Sequence, residues 1–225
     1  MPRVAFFVYF RGMNEVHLDF RFKARYCQLG AIDGQTQNVW FVCHGYGQLA
    51  SFFIRNFEIL RNNGHCIVAP EGLSRFYLNG FAGRVGATWM TREDRLTDID
   101  NYINYLNAVY RNVIGERKDL HITLLGFSQG VATVCRWANQ ESLNFHRLVL
   151  WAGVIPPDLD FDLARQKFGQ VDTFIVYGND DPFIKEVQLD EQNRHIEKLS
   201  IDPRIITFEG QHVLDNETLL RISAG

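Results

Sequence analysis

The stretch ITLLGFSQGVATV, residues 122–134, decides the fold. It begins with the apolar run 122–125, passes through the pentapeptide GFSQG at 126–130, and continues into a second apolar segment. This pattern predicts a buried strand, a tight turn and a helix that begins at Ser128. The turn holds its serine in a strained backbone conformation, so the flanking residues must be small, and glycine has no Cβ to clash. The pattern therefore predicts an exposed serine nucleophile, unless the match is a chance one in an ordinary loop.

Length and composition indicate a globular chain of an ordinary kind. With 225 residues we expect a single domain, residues 1–225, large enough to bury one substantial core. Hydrophobic residues make up 46% of the chain and charged residues 22%, as in soluble enzymes. The net charge of −3 provides no basic surface for nucleic acid or for an anionic membrane, so we predict neither as a partner.

The N-terminus carries a short apolar run, residues 4–10, behind Arg3. A membrane helix needs about 20 residues, and no small-residue cleavage site of a signal peptide follows the run. We therefore predict no stable membrane insertion. Residues 1–12 are interpreted as a peripheral strand or as a dispensable leader before a start at Met13.

The cysteines point to a reducing compartment. They stand far apart, with no C-x-x-C pair and no zinc-ligand spacing. Apolar runs surround most of them, as is typical of free buried thiols. The residues are Cys27, Cys43, Cys66 and Cys135. We expect a cytoplasmic protein without disulfide bonds and without a metal site.

Apolar patterning predicts one kind of strand near the N-terminus and another kind after it. Residues 16–26 alternate strictly between apolar and polar, which predicts a half-buried strand at an antiparallel edge, with a turn at Asp33-Gly34. Later runs are short and continuously apolar, as in parallel strands covered by helices on both faces. These runs are 39–43, 66–69, 122–125, 148–151, 174–177 and 205–208.

Helical patterns alternate with these strands. Apolar residues recur at helical spacing in 53–60 and in 96–113, the latter opened by a Thr91-x-x-Asp94 capping pattern. A further helix follows Ser128, and a more polar one occupies 184–199. The alternation predicts an α/β fold with a doubly wound, mostly parallel sheet, an antiparallel N-terminal edge strand and no large cap domain.

In such sheets the loops after the parallel strands carry the chemistry, because the carboxyl ends of the strands share one edge. The first of these loops is HGYGQ, residues 44–48. Glycines let its backbone approach a substrate, so we expect the N–H of Tyr46 and the N–H of Gln129 to form an oxyanion hole. We interpret His44 as a brace for its own loop rather than as a catalytic base.

Two later strands are followed by candidate catalytic residues, one by an acid and the other by a histidine. The segment GNDDP, residues 178–182, offers two aspartates, of which either orients a histidine or caps the helix near Pro182. The segment EGQH ends in His212, whereas the other histidines open strands or lie on polar faces. The order serine, aspartate, histidine is the one that the α/β-hydrolase fold uses.

The chain resembles the phospholipase/carboxylesterase family of α/β-hydrolases, which includes acyl-protein thioesterases and small bacterial carboxylesterases. The resemblance runs from about Val39 to His212. GFSQG matches the family's turn, Gly178-x-x-Asp181-Pro182 matches its acid motif, and Gly210-Gln211-His212 stands for its G-G-H. It implies a triad of Ser128, Asp181 and His212, and it selects Asp181 over Asp180.

The sequence departs from the family around the expected acyl pocket. Gln48 stands where an acidic residue is frequent, and Phe183-Ile184 replaces a small aliphatic pair. A weaker match places Trp89-Met90-Thr91 at the family's W-F-D loop.

Aromatic residues near the oxyanion segment are candidates for the substrate pocket. The loop between Pro70 and Thr91 is long and lacks a pattern of its own, as functional loops often do. We name Phe52, Phe53 and Trp89 as candidate substrate contacts, with core packing as the alternative for each.

The residues therefore predict a serine hydrolase that cleaves carboxylic esters or thioesters of small to medium acyl groups, without a metal or organic cofactor. A peptidase or polyester-type hydrolase uses the same triad, so it remains an alternative. A non-catalytic binding protein of this fold is the second alternative, although such proteins commonly lack a triad residue and this chain has all three.

Overall fold

The computed structural model describes residues 14–61 and 64–224, and the segment 1–12 lies outside them. The strands are β1 Tyr26–Leu29, β2 Asn38–Cys43, β3 His65–Pro70, β4 Ser74–Asn79, β5 Ala82–Thr88, β6 His121–Phe127, β7 Arg147–Trp151, β8 Asp172–Gly178 and β9 Arg204–Phe208. The helices are α1 Ala50–Phe53, continued by the 3₁₀ turn Ile54–Leu60, then α2 Arg95–Ile114, α3 Gln129–Ala138, α4 Phe161–Phe168, α5 Glu186–Leu199 and α6 Asn216–Ala224.

The main sheet has seven strands in the order β1-β3-β2-β6-β7-β8-β9. β1 is antiparallel to β3, and every other neighbouring pair is parallel. This confirms the predicted α/β-hydrolase architecture. Cys43 pairs with Gly126 across β2 and β6, so the loop 44–48 and the turn 126–130 leave the sheet side by side.

Helices cover both faces of this sheet, as the continuously apolar strands predict. On one face α2, α3, α4 and α5 enclose a core in which Phe41, Tyr102 and Trp137 are fully buried. On the other face α1, the 3₁₀ turn and α6 cover Trp40 and its neighbours. β9 departs from the pattern because it is an edge strand, and Ile205 is largely exposed.

The prediction of a strand over residues 16–26 is wrong in extent. The antiparallel edge strand exists, but it covers Tyr26–Leu29 only, and 14–25 has no regular secondary structure. Val16, Leu18 and Phe20 are each more than 70% exposed. Alternation marks a strand only where one face is covered, and nothing in the described chain covers this one.

The segment between Pro70 and Thr91 is not the patternless loop that we expected. It folds into the antiparallel hairpin β4–β5, which forms a separate two-stranded sheet. Most of its side chains are exposed, so neither strand carries the apolar face by which a strand is recognised.

Two expectations about helices also change. α2 begins at Arg95 without a capping box, because the side chain of Asp94 makes no cap, and the N–H of Thr91 instead donates to Asp98 Oδ2 at 3.1 Å. The sequence patterns missed α4 and α6, which are short, at eight and nine residues.

The described elements include no large cap domain. Among the described strands, the hairpin β4–β5 alone lies outside the main sheet. Within the described residues, α2 is the longest helix, and none combines the length and apolarity needed to cross a bilayer.

Candidate active site

Ser128 lies in a strained turn between β6 and α3. Its backbone has φ 55° and ψ −117°, a region that residues with a side chain rarely adopt. A Cβ on Gly126 would overlap the backbone of Gly130, and a Cβ on Gly130 would overlap the carbonyl oxygen of Cys43. The N–H of Ser128 donates to the carbonyl of Trp151 at 2.8 Å, which ties the turn to β7. The flanking glycines are therefore required by close backbone packing.

Asp181 and His212 form a short hydrogen-bonded pair across the ends of β8 and β9. His212 Nδ1 lies 2.7 Å from Asp181 Oδ2, and the other carboxylate oxygen accepts from the N–H of Phe183 at 2.8 Å. The Asp181 side chain is fully buried, whereas Asp180 is exposed. Between the two aspartates that the sequence offered, only Asp181 contacts the histidine.

Aromatic side chains and a backbone tie fix the position of His212. Its ring packs between those of Phe127 and Phe183, with centroids at 4.9 and 4.7 Å. The indole N–H of Trp151 donates to the carbonyl of Val213 at 2.9 Å, and so anchors the loop beside the histidine. With Nδ1 directed at Asp181, Nε2 is the nitrogen left to accept a proton.

Within the described part of the chain, Ser128 Oγ makes no hydrogen bond. Catalytic hydrogen bonds are often long in ligand-free enzymes and tighten when substrate binds.

The loop 44–48 packs directly against the turn of Ser128. A Cβ placed on Gly45 would lie 3.2 Å from Ser128 Cβ. The N–H of Gly45 donates to Gln48 Oε1 at 2.8 Å, and that of Gly47 donates to the carbonyl of Ala87 at 2.9 Å. Among the described residues the N–H of Tyr46 has no acceptor. The N–H of Gln129, first in α3, has none within its helix.

His44 is buried under this loop, as the sequence suggested. Its Nε2 accepts the N–H of Gly72 at 2.9 Å, and its Nδ1 lies 2.8 Å from the carbonyl of Gly45. Burial lowers its pKa, so the ring is neutral near pH 7. Both nitrogens are engaged in holding the loop, and neither is available as a base.

Trp89 has a different place from the one expected. It is 2% exposed, lines neither cavity at the site, and donates its indole N–H to the carbonyl of His44 at 2.8 Å. It supports the loop 44–48 from below, which is the core-packing alternative that the sequence left open for this residue.

Two glutamine side chains that the sequence reasoning did not use also shape the site. Gln48 braces Gly45 as described, in place of the family's frequent acidic residue. The Gln129 amide bonds to Thr88 Oγ1 at 2.9 Å and to the carbonyl of Met90 at 3.1 Å, and so ties the turn to the end of β5. Neither the identity of these two glutamines nor their spacing in the sequence indicates the contacts of their side chains.

A cleft runs beside the site. A cavity of about 140 Å³ is lined by Phe127 and His212, and one of about 580 Å³ lies next to it. Gln48, Phe53 and Asn56 line both cavities, so the two are adjacent. Phe53 forms part of the common wall and is almost fully buried, whereas Phe52 lines the larger cavity and is 61% exposed.

The described residues offer one grouping with the composition of a metal site. It consists of Glu15, His17 and Asp94, all exposed, between the N-terminal segment and the start of α2. None of the three lines either cavity at Ser128 and His212.

A family model described as phospholipase/carboxylesterase matches residues 30–224. Acyl-protein thioesterase 2 of Zea mays superposes with a TM-score of 0.68 at 16% identity, covering 90% of this chain and 97% of that one. Esterase PE8 gives a TM-score of 0.67 at 18% identity, with 90% and 97% covered. A phospholipase/carboxylesterase from Dyadobacter fermentans gives 0.63 at 16% identity, with 92% and 97% covered.

No curated protein matches the sequence. The structural likenesses, all below 25% identity, show the fold, while the family model spans nearly all of the chain beyond β1. The protein is therefore a hydrolase of the esterase type, and it belongs to the phospholipase/carboxylesterase family of α/β-hydrolases.

Proposed function

We propose that the protein cleaves carboxylic esters or thioesters of small to medium acyl groups through Ser128, His212 and Asp181. The observation that carries the proposal is the 2.7 Å contact between His212 Nδ1 and the buried Asp181 carboxylate, beside a strained serine turn. A buried carboxylate fixes the tautomer of the imidazole and stabilises the imidazolium that forms during turnover.

In the first half of the reaction, His212 Nε2 takes the proton of Ser128 as Oγ attacks the carbonyl carbon. The carbonyl oxygen becomes negative and accepts hydrogen bonds from the Tyr46 and Gln129 N–H groups. The bond to the leaving oxygen or sulfur then breaks, and the leaving group takes the proton from His212. An acyl-enzyme on Ser128 remains.

In the second half, a water molecule gives its proton to His212 and attacks the acyl carbon. The bond to Ser128 breaks, the serine recovers its proton from His212, and the carboxylic acid leaves. Asp181 stays ionised throughout and only stabilises the imidazolium.

The size of the cleft supports the substrate class. The larger cavity, about 580 Å³, falls within the range of small-molecule sites and has apolar walls from Leu49, Phe52 and Phe53. The absence of a large cap among the described elements leaves the site accessible to acyl groups on larger leaving groups.

Kinetics with matched variants test the proposal. A series of p-nitrophenyl esters and acyl thioesters, compared with peptide p-nitroanilides, should show turnover of the esters and thioesters. Ser128→Ala should lower kcat by about 10⁴-fold or more. Ser142→Ala, an exposed serine after α3, is the control and should leave kcat unchanged. Turnover of the anilides alone would contradict the proposed substrate class, and full ester activity of Ser128→Ala would contradict the proposed nucleophile.

We also propose that the protein works in the cytoplasm, where thiols stay reduced. The supporting observation is that Cys27, Cys43, Cys66 and Cys135 are all free. Burial raises the pKa of Cys66 to about 11, so this thiol is unreactive near pH 7. Cell fractionation of the native host tests the location.

A further inference from the structure

The larger cavity at the active site includes an arginine. It adjoins the histidine cavity, with which it shares Gln48, Phe53 and Asn56, and Arg84 of β5 lines the larger cavity alone. Among the described residues, Arg84 is the only arginine or lysine that lines either cavity, and no carboxylate lines them. Among the described residues its guanidinium makes neither a hydrogen bond nor an ion pair.

A second arginine lies at the same wall. The guanidinium carbon of Arg55 stacks over the ring of Phe52 at 4.9 Å from its centroid, and Phe52 lines the cavity. Within the described chain Arg55 also lacks a carboxylate partner. Two guanidinium groups without a carboxylate partner among the described residues therefore lie in or beside the cleft: Arg84 lines it, and Arg55 contacts one of its wall residues.

The junction between the two cavities is polar on one side. Asn56 donates its amide N–H to the carbonyl of Phe53 at 2.8 Å, which fixes the orientation of the side chain. A positive charge in a cavity that also has apolar walls, next to the cavity of His212, suits a substrate with an alkyl spacer and a terminal anion.

We propose that this cleft selects esters or thioesters that carry an anionic group, a carboxylate in the simplest case, at the end remote from the scissile carbonyl. The inference rests on the proposed function of Ser128 and His212 and adds the substrate class. Arg84 is the specificity-determining residue, because a guanidinium binds a carboxylate through two parallel hydrogen bonds. The anion belongs either to the acyl chain or to the leaving group.

Charge-matched substrates test the inference. For the acyl chain, mono-p-nitrophenyl esters of succinic, adipic and suberic acid are compared with the same compounds methylated at the free carboxylate. For the leaving group, 4-carboxyphenyl butyrate is compared with its methyl ester. At low ionic strength the anionic member of at least one pair should have a kcat/KM about fivefold higher than the neutral member, mainly through KM, since an exposed ion pair contributes up to about that factor.

Variants assign the effect to Arg84. Arg84→Gln should remove the preference for the anion, so that the loss on the anionic ester exceeds the loss on the neutral one, while Arg84→Lys should retain part of the preference. Arg111→Gln, an exposed arginine of α2 outside the cleft, carries the same change of net charge and should keep the full preference. The preference should also fall with added salt.

Equal kcat/KM within every pair for the wild type would overturn the inference, as would equal losses on anionic and neutral esters in Arg84→Gln. Both outcomes leave the proposed function intact. The proposed function fails separately if no member of any pair is hydrolysed.

Discussion

The two edges of the parallel sheet both carry histidines, and they differ in how those histidines are partnered. At the carboxyl edge His212 bonds to Asp181 at 2.7 Å and lines a cavity. At the amino edge His65 and His121 open β3 and β6, and their buried Nδ1 atoms have no hydrogen-bond partner within the described protein. The buried Arg147 also lies at this edge.

The comparison shows that partners, rather than the presence of titratable groups, distinguish a candidate catalytic edge from a structural one. Burial lowers the pKa of His65, and the charge of Arg147 lowers it further. The same two causes, in the same order, lower the pKa of His121, which also stacks on His146 at 4.9 Å. These histidines are held neutral and enclosed. A base needs a carboxylate on one nitrogen and substrate access to the other.

The largest effect should come from breaking the partner at the carboxyl edge. Asp181→Asn should lower kcat by about 10⁴-fold, because an amide no longer holds the tautomer or stabilises the imidazolium. Asp180→Asn is the matched control on the neighbouring exposed residue and should leave kcat within about twofold of the wild type. Ester kinetics of both variants provide the measurement. A larger loss of kcat in Asp180→Asn than in Asp181→Asn would show that Asp180, and not Asp181, is the acid.

Substitution in the strained turn 126–130 should have the next largest effect, and we expect it in the stability of the protein. Gly130→Ala places a methyl group against the backbone carbonyl oxygens of Cys43 and His44. Because backbone atoms cannot move aside as a side chain can, the substitution should lower the free energy of unfolding by about 3–5 kcal/mol. Gly34→Ala is the control, since a Cβ there meets nothing within 4 Å, and its cost should be under about 1 kcal/mol. Urea unfolding measures both. Similar midpoints for the two variants would show that the turn relaxes at little cost.

The anchor of the histidine loop should have an intermediate effect. Trp151→Phe removes the N–H that bonds to Val213, and we expect a loss of about 1–3 kcal/mol in stability with a severalfold fall in kcat. Trp40→Phe makes a similar change in volume in the same core, away from His212, and should lower stability while leaving kcat unchanged. Equal kcat in the two variants would assign Trp151 a packing role only.

The amino edge should give the smallest effect, and it should appear as pH dependence of stability. The folded-state pKa of His65 is depressed, so below about pH 6.5 the unfolded chain binds protons first and stability falls. His65→Gln should reduce the loss of stability between pH 7.5 and 5.5 by up to about 1 kcal/mol.

His17→Gln is the control for this pH effect. The hydrogen bond that His17 donates to the Glu15 carboxylate raises the pKa of His17, so removing that histidine should not lessen the loss of stability in acid. Urea midpoints at the two pH values measure the effect. An unchanged pH slope in His65→Gln would show that His65 is not held neutral.

The sequence predicts the parts of the molecule whose residues are buried on a regular period. Strands β2, β3 and β6 to β9 are predicted from their apolar runs. The candidate site is predicted because Ser128, Asp181 and His212 each come a few residues after one of those runs. The hairpin β4–β5 could not be predicted, because its exposed strands carry no apolar face. The alternation of 16–26 predicts too long a strand for the opposite reason. The apolar pattern is present, but no other part of the described chain covers its apolar side chains.

Hydrogen bonds between residues that are far apart in the sequence cannot be predicted from its motifs and apolar patterns. The bond from Trp89 to the carbonyl of His44 spans 45 residues, and that from the Gln129 amide to Thr88 spans 41. Neither residue type nor spacing indicates such pairs, so Trp89 was expected in the pocket and found beneath the loop.

We propose that the carboxyl edge of the sheet holds one activated serine, Ser128. Labelling with a fluorophosphonate probe, followed by mass spectrometry of the modified peptide, tests this proposal. We expect one adduct per chain, on the peptide containing residues 126–130, with labelling abolished in Ser128→Ala and slowed in Asp181→Asn. Undiminished labelling of Ser128→Ala, or an adduct on a different serine, would contradict it.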